Sequence, residues 1–273
     1  ALDTLGPRFG FYIRWDKCEL VFPAGPSAHR DAALAPLWSH LPIPCSRPTV
    51  VPTPDFHLLG SPVGCAAYSQ QHTRERAASL EPLLSRLPLL DDVHAASYLL
   101  RHCAGAGKVT YTARTTPPSL IRPSLQDFDS RVQEAWEVVH GCRATGSRWA
   151  EATLALSQGG FGMRSAAQHC DAAYAASVAG TRDLCCRLDP AYTGADPGSS
   201  HFRDALHSLA PRLPPERRTT LLASSPLRQQ ALSAALDMVT LSDLIEAATP
   251  WDRARLRAKA QPHAAAWLGA VPA

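Results

Sequence analysis

Two adjacent carboxylates, Asp91 and Asp92, follow Leu89-Leu90. A pair of this kind can anchor two divalent cations for phosphoryl transfer, one activating the attacking hydroxyl and one steadying the leaving group. That chemistry wants the pair on a tight strand hairpin. Here it lies between two leucine-rich helical patterns, where an aspartate accepts the free N–H groups of a helix start, so a capping role is expected. Gly105-Ala106-Gly107-Lys108 has the Gly-Lys of a phosphate loop, but Val109 stands where a magnesium-binding hydroxyl is needed and His102 where the first glycine is. Gly159-Gly160-Phe161-Gly162 precedes a helical pattern; its N–H groups suit an anion, yet a tight turn between packed segments is the expected role. Cys185-Cys186 stand alone, and His201 with His207 lack the i, i+4 spacing that puts two ligands on one helical face, so no metal site is expected. No Gly-x-Ser-x-Gly occurs, and no nucleophile stands at a recognisable spacing from a base.

The elements that must position these residues divide the text into three parts. Residues 1–65 are rich in proline, with strand-like runs at 9–13, 19–22 and 56–59 between Pro and Gly punctuation. Residues 66–149 change to helical spacing. Leu80, Leu83, Leu84, Leu87 and Leu90 make one apolar stripe, Ala96, Leu99, Leu100 and Cys103 a second, and Leu125, Phe128, Val132, Trp136 and Val139 a third. Ser124 with Asp127 three residues on reads as the start of the third helix, and three antiparallel helices would bury the stripes together. Residues 150–273 continue with helices expected at 164–178, 201–209, 226–247 and 251–260, interrupted by a loop at Asp189-Pro190 and Asp196-Pro197-Gly198. The fold class expected is mainly α, a helical bundle and a helical C-terminal region behind a small β element.

Composition bounds the partners. With 45% apolar positions in 273 residues the chain can bury a core, and a net charge of +3 does not by itself announce a polyanion. Lysine occurs only at Lys17, Lys108 and Lys259, and arginine supplies the remaining positive charge. That bias suits a GC-rich coding sequence as well as bidentate phosphate contacts. The 8 cysteines are scattered without a Cys-x-x-Cys pair, no run of about 18 apolar residues occurs, and no signal peptide is read at the front, so an intracellular protein, cytoplasmic or nuclear and off the membrane, is expected.

Phe9-Gly10-Phe11-Tyr12-Ile13-Arg14-Trp15-Asp16-Lys17-Cys18-Glu19-Leu20 resembles the segment that follows the active-site hairpin in non-LTR retrotransposon reverse transcriptases. Phe56-His57-Leu58-Leu59-Gly60-Ser61-Pro62-Val63-Gly64 resembles the next box of that family, the Leu-Gly element at the primer strand. Leu99-Leu100-Arg101-His102-Cys103, Arg114-Thr115-Thr116-Pro117-Pro118 and Gly159-Gly160-Phe161-Gly162-Met163-Arg164-Ser165 look like thumb and post-thumb text. The resemblance covers nearly the whole chain, and the order and spacing of the boxes carry more than any one of them. It implies the rear portion of an RNA-directed DNA polymerase: a palm remnant at 1–65, a thumb-like domain at 66–149 and a helical region at 150–273. Arg14 departs from the family's usual Asn. The family's Tyr-x-Asp-Asp box does not occur in this chain, so an inactive fragment is expected, with no cofactor of its own and Mg2+ only in an intact polymerase.

The resemblance further implies that Lys17 serves as an auxiliary catalytic group beside the incoming phosphates, that Leu59 and Gly60 touch the primer, and that Arg101, Arg114 and Arg122 contact the backbone of an RNA–DNA or DNA duplex. Read as bare residue types, Lys17 is also an ordinary surface lysine, Gly60 an ordinary turn glycine and the arginines solvating charges. An upstream fingers and palm segment is the expected partner, and exposed apolar side chains, such as Phe9, Phe11, Phe22 and Leu58, are expected where the palm would pack. The other expectation is a decayed or domesticated helical remnant serving protein contacts only.

Overall fold

Proline and glycine punctuation leaves the front of the chain little regular structure, and the computed structural model has short elements there. It describes residues 5–22, 32, 34–36, 48–51, 53–189, 191, 199–223 and 227–271; the loop around Asp196-Pro197-Gly198 lies outside them. The chain forms two units, Ala1–Tyr68 and Ser69–Ala273.

In the first unit, β1 (Glu19–Leu20) pairs in parallel with β2 (Thr49–Val50), and β3 (Phe56–Leu58) pairs antiparallel with β4 (Ser61–Val63), Phe56 opposite Val63 and Leu58 opposite Ser61. The strand expected at 9–13 is absent. Pro7 presets a 3-10 turn over Gly6–Phe9 that ends at Gly10 with φ 78°, and the following residues run without pairing. Phe9, Phe11 and Leu58 are 76%, 72% and 57% exposed, as expected, while Phe22 is half-buried.

The second unit is mainly α. After α1 (Ala66–Ala78), the text expected to give a helix on each of the first two stripes breaks into α2 (Glu81–Leu84), a 3-10 turn at Leu87–Leu89, α3 (Val93–Leu99), a π turn at Leu100–Ala104, a 3-10 turn at Ala106–Lys108 and α4 (Thr110–Thr115). Pro82 and Pro88 start the short turns, and Asp92 starts α3 by accepting from the N–H groups of His94 and Ala95 at 2.8 and 3.0 Å. The Asp91-Asp92 pair is thus part of a cap. The third stripe forms α5 (Pro118–His140), which begins six residues before the expected Ser124 because Pro118 occupies its first position, where the missing N–H costs nothing. Ser124 is instead buried and donates to the Gln70 carbonyl. Gly141 closes α5 in the left-handed conformation, φ 60°.

Beyond α6 (Ser147–Thr153) come α7 (Ala166–Leu188), α8 (Ser199–Leu209), α9 (Pro215–Ala223), α10 (Gln229–Ala247) and α11 (Pro250–Lys259). α7 runs ten residues past its expected end, and α9 was not legible as a helix. α7 is central: it packs against α4, α5, α8 and α10. Its buried positions are mostly alanine and go round the helix, so neighbours approach closely on several sides. Cys170 and Ala173 join a core built on Leu100, Ile121, Leu125 and Phe128, while Ala172 and Ala175 join a second with Leu209, Leu213, Leu232 and Leu236. The first core crosses the division expected at 149/150. Trp136 of α5 stacks on His140 and meets Trp149 of α6 and Phe161 edge-on, so both sides of that division share one unit. The glycine run 159–162 is the turn that makes this possible: a Cβ on Gly160 would strike the Leu154 carbonyl.

Candidate nucleic-acid interface

Lys17, Leu59 and Gly60 lie in the first unit, Arg101, Arg114 and Arg122 in the second. Lys17 ends the 3-10 turn Trp15–Lys17, its backbone N–H donating to the Arg14 carbonyl at 2.8 Å. Arg14 clasps Asp16 in a bidentate pair at 2.8 and 2.6 Å, and these hydrogen bonds hold the Asp16 carboxyl below the usual carboxylate range. Asp16 is therefore spent on Arg14. The exposed ammonium of Lys17 has no carboxylate within ion-pair distance among the described residues.

Leu59 and Gly60 are the two central residues of the β3–β4 turn, with φ 51° and 80°. Positive φ at both positions is the requirement of a type I′ turn, whose twist matches that of the strands it joins. Gly60 meets it freely and has open space where a Cβ would be. Leu59 does not meet it freely: the left-handed conformation costs a side-chain-bearing residue about 1 kcal/mol, and this leucine is 88% exposed at the tip. The base of the hairpin is tied by Asp55, which accepts from the Cys65 N–H at 2.7 Å, and Gly64, φ 150°, leaves that carboxylate its room.

The three arginines differ in what they face. Arg101, in the π turn, donates to the carbonyls of Phe161 and Leu268 at 3.4 and 2.9 Å. Arg122, on α5, donates to the Ala167 carbonyl at 3.0 Å and to Asp171 at 2.7 Å. Both, expected to meet a duplex, are bonded into their own chain. Arg114 is exposed and its Nε donates to Gln229 Oε1 at 2.8 Å; among the described residues its terminal nitrogens have no hydrogen-bond partner.

The bond of Arg122 to Asp171 belongs to a set of buried acids that sequence reasoning did not find. Asp171, 1% exposed, accepts from Arg122, from Arg212 at 3.0 Å and from the Ser208 hydroxyl at 3.1 Å. Asp237 on α10 accepts from Arg164 at 2.7 Å and lies 3.2 Å from His169 Nε2. Burial opposes ionisation of Asp237, but His169 and Arg164 outweigh it and hold the carboxyl below its ordinary range. Burial pushes the His169 pKa down, so the ring is neutral and Nε2 carries the proton it gives Asp237. Asp129 of α5 caps α7 from outside, accepting from the N–H groups of Ala166 and Ala167 and from the Ser165 hydroxyl. A signal did exist. An aspartate amid the small apolar run His169-Cys170-Asp171-Ala172-Ala173 is affordable only if partnered.

Among the described residues no three of His, Cys, Asp and Glu come together as a metal site, and no helix is long and apolar enough to cross a membrane. Comparison with family models, curated proteins and solved structures returned no match to this chain.

Proposed function

We propose that the chain is the rear portion of a reverse transcriptase of the non-LTR retrotransposon kind and that it touches the template–primer duplex through Lys17 and the Leu59-Gly60 hairpin, with the helical unit as scaffold. The observation that carries this reading is the hairpin tip. A leucine held fully in water in a conformation that costs it about 1 kcal/mol is poor use of a turn position that Asn or Gly would fill better, and it is what a contact residue for another molecule looks like. Sugar and base edges of a primer end are such a surface, and a nearby backbone free of a Cβ at Gly60 suits close approach. Lys17, without an ion-pair partner among the described residues, adds a cation for phosphate. In an intact polymerase the catalytic aspartates, with their Mg2+, come from an upstream palm and fingers segment.

A second reading has its own support. The bonds of Arg101 and Arg122 to their own chain suit a domesticated remnant whose surface serves protein contacts only.

Fluorescence anisotropy with a labelled RNA–DNA hybrid at low salt separates the two. The first reading expects binding by the folded chain that weakens in Lys17→Ala and in Leu59→Asn, although Leu59→Asn relieves turn strain and stabilises the protein by about 0.5–1 kcal/mol in urea unfolding. No binding by a demonstrably folded chain would leave the second.

A further inference from the structure

A cavity of about 510 Å3 opens in the helical unit between the π turn Leu100–Ala104, α4, the Gly162 turn and the start of α7. That volume is in the range of small-molecule sites, roughly 300–1,000 Å3. Ala106, Val109, Ala113, Leu156 and Ala173 make most of its wall apolar. No carboxylate lines it, whereas Arg101 and Arg164 do. Arg164 is neutralised by Asp237. Arg101 is not: it is half-buried, its guanidinium rests on two backbone carbonyls and His102, and among the described residues no carboxylate is within ion-pair distance. Burial pulls its pKa down, as expected of a cation lacking a counter-ion.

We infer that this cavity binds a small organic anion, a carboxylate or phosphate ester carried on an apolar body, with Arg101 as its counter-ion. An uncompensated charge at the edge of a low-dielectric space gains most from an opposite charge placed beside it. A single such charge suits a ligand with one anionic group, and the apolar wall selects the body that carries it. This separates the occupant from a nucleic-acid backbone, which brings a row of phosphates and little apolar surface. The π turn is the local device: the extra residue in that turn is a recurrent feature of binding sites, and here it is the turn that carries Arg101. His169, 5% exposed, also lines the cavity, and its Nδ1 has no hydrogen-bond partner among the described residues. With the proton on Nε2, that nitrogen is an acceptor, so a hydroxyl or amide N–H on the ligand beside the anionic group would find a partner.

The test titrates the whole chain with benzoate and with phenyl phosphate, using benzyl alcohol as the neutral counterpart, by calorimetry and by thermal shift. Thr110, which lines the cavity at the first position of α4, is changed to Glu and to Gln. A carboxylate is well tolerated in a first helical turn, so Thr110→Glu keeps the fold while placing a like charge by the anion. Benzoate or phenyl phosphate should bind and raise the melting temperature. Benzyl alcohol and the Thr110→Glu variant should each bind at least ~tenfold more weakly, and Thr110→Gln within ~twofold of the parent. Equal binding of benzyl alcohol, undiminished anion binding by Thr110→Glu, or no binding of either anion by the folded chain at ~10 mM would overturn the inference, that concentration being weaker than a specific small-ligand site requires. Displacement of phenyl phosphate by an RNA–DNA hybrid from the parent chain would also overturn it, by assigning the cavity to the duplex path.

Discussion

Arg122 shows how one side chain can look like a ligand-binding group in the sequence and be a structural one in the fold. Its guanidinium joins α5 to the Ala167 carbonyl and to Asp171 of α7, and Asp171 is 1% exposed. Removing the cation leaves Asp171 with Arg212 and Ser208 among the described residues, so Arg122→Ala is expected to cost about 2–3 kcal/mol in urea unfolding, less than the full loss of a buried pair because a second arginine remains. At the same scale His169 makes stability depend on pH. Its folded pKa lies below the unfolded 6.5 because burial outweighs the bond to Asp237, with Arg164 and Arg212 nearby adding to the fall. As pH falls the unfolded chain takes up the proton first, so stability is fully present above about 6.5 and is lost from there toward the lower folded value. Burial of His140 acts in the same direction. Glu151, held down by Arg255 and Lys259 against its own burial, starts to matter only below about 4.5. A melting series from pH 7 to about 5 should therefore fall in the parent and fall less in His169→Gln.

Among the elements, α7 carries the most. Small side chains on most of its buried positions let α4, α5, α8 and α10 all approach it, and that same closeness leaves no space for a larger residue. Ala175, with no exposed surface, is the sharpest test: Ala175→Leu adds three carbon atoms to a filled core and is expected to lower stability by about 1–3 kcal/mol or more. The stripe Leu125, Phe128, Val132, Trp136 and Val139 was legible because each lies on one face at helical spacing, and all five are buried in α5. The first turns of that helix were not legible from Ser124, since the start was set by Pro118 and Ser124 went to a tertiary partner. Leu90, read into the first stripe, is 42% exposed because Pro88 breaks the helical register before it.

For the molecule as a whole, a net charge of +3 and inward bonds on two of the three singled-out arginines limit how many phosphates the chain can neutralise. The slope of log affinity for an RNA–DNA hybrid against log salt is expected to be shallow, about −2 to −3, and Lys17→Ala should reduce it by about 0.9, the change for one phosphate contact on a duplex. A steep slope unaltered by Lys17→Ala would move the contact surface away from the first unit's turn.

What the amino-acid sequence determined by itself was the class of the fold and the local devices: the mainly α character, the capping aspartate at 92, the glycine turn at 159–162 and a strand from 56 that runs into a turn at Gly60. These depend on neighbours within a few residues, through helical period, proline geometry and side chains that satisfy nearby N–H groups. The tertiary structure alone decided which charges meet. Asp171 finds Arg122 and Arg212, Asp237 finds Arg164 and His169, and among the described residues Arg101 is left without a carboxylate beside a cavity. These partners stand 41 to 73 positions apart. Only the packing of α7 between its neighbours brings them within reach, because a buried charge is selected by what surrounds it in space.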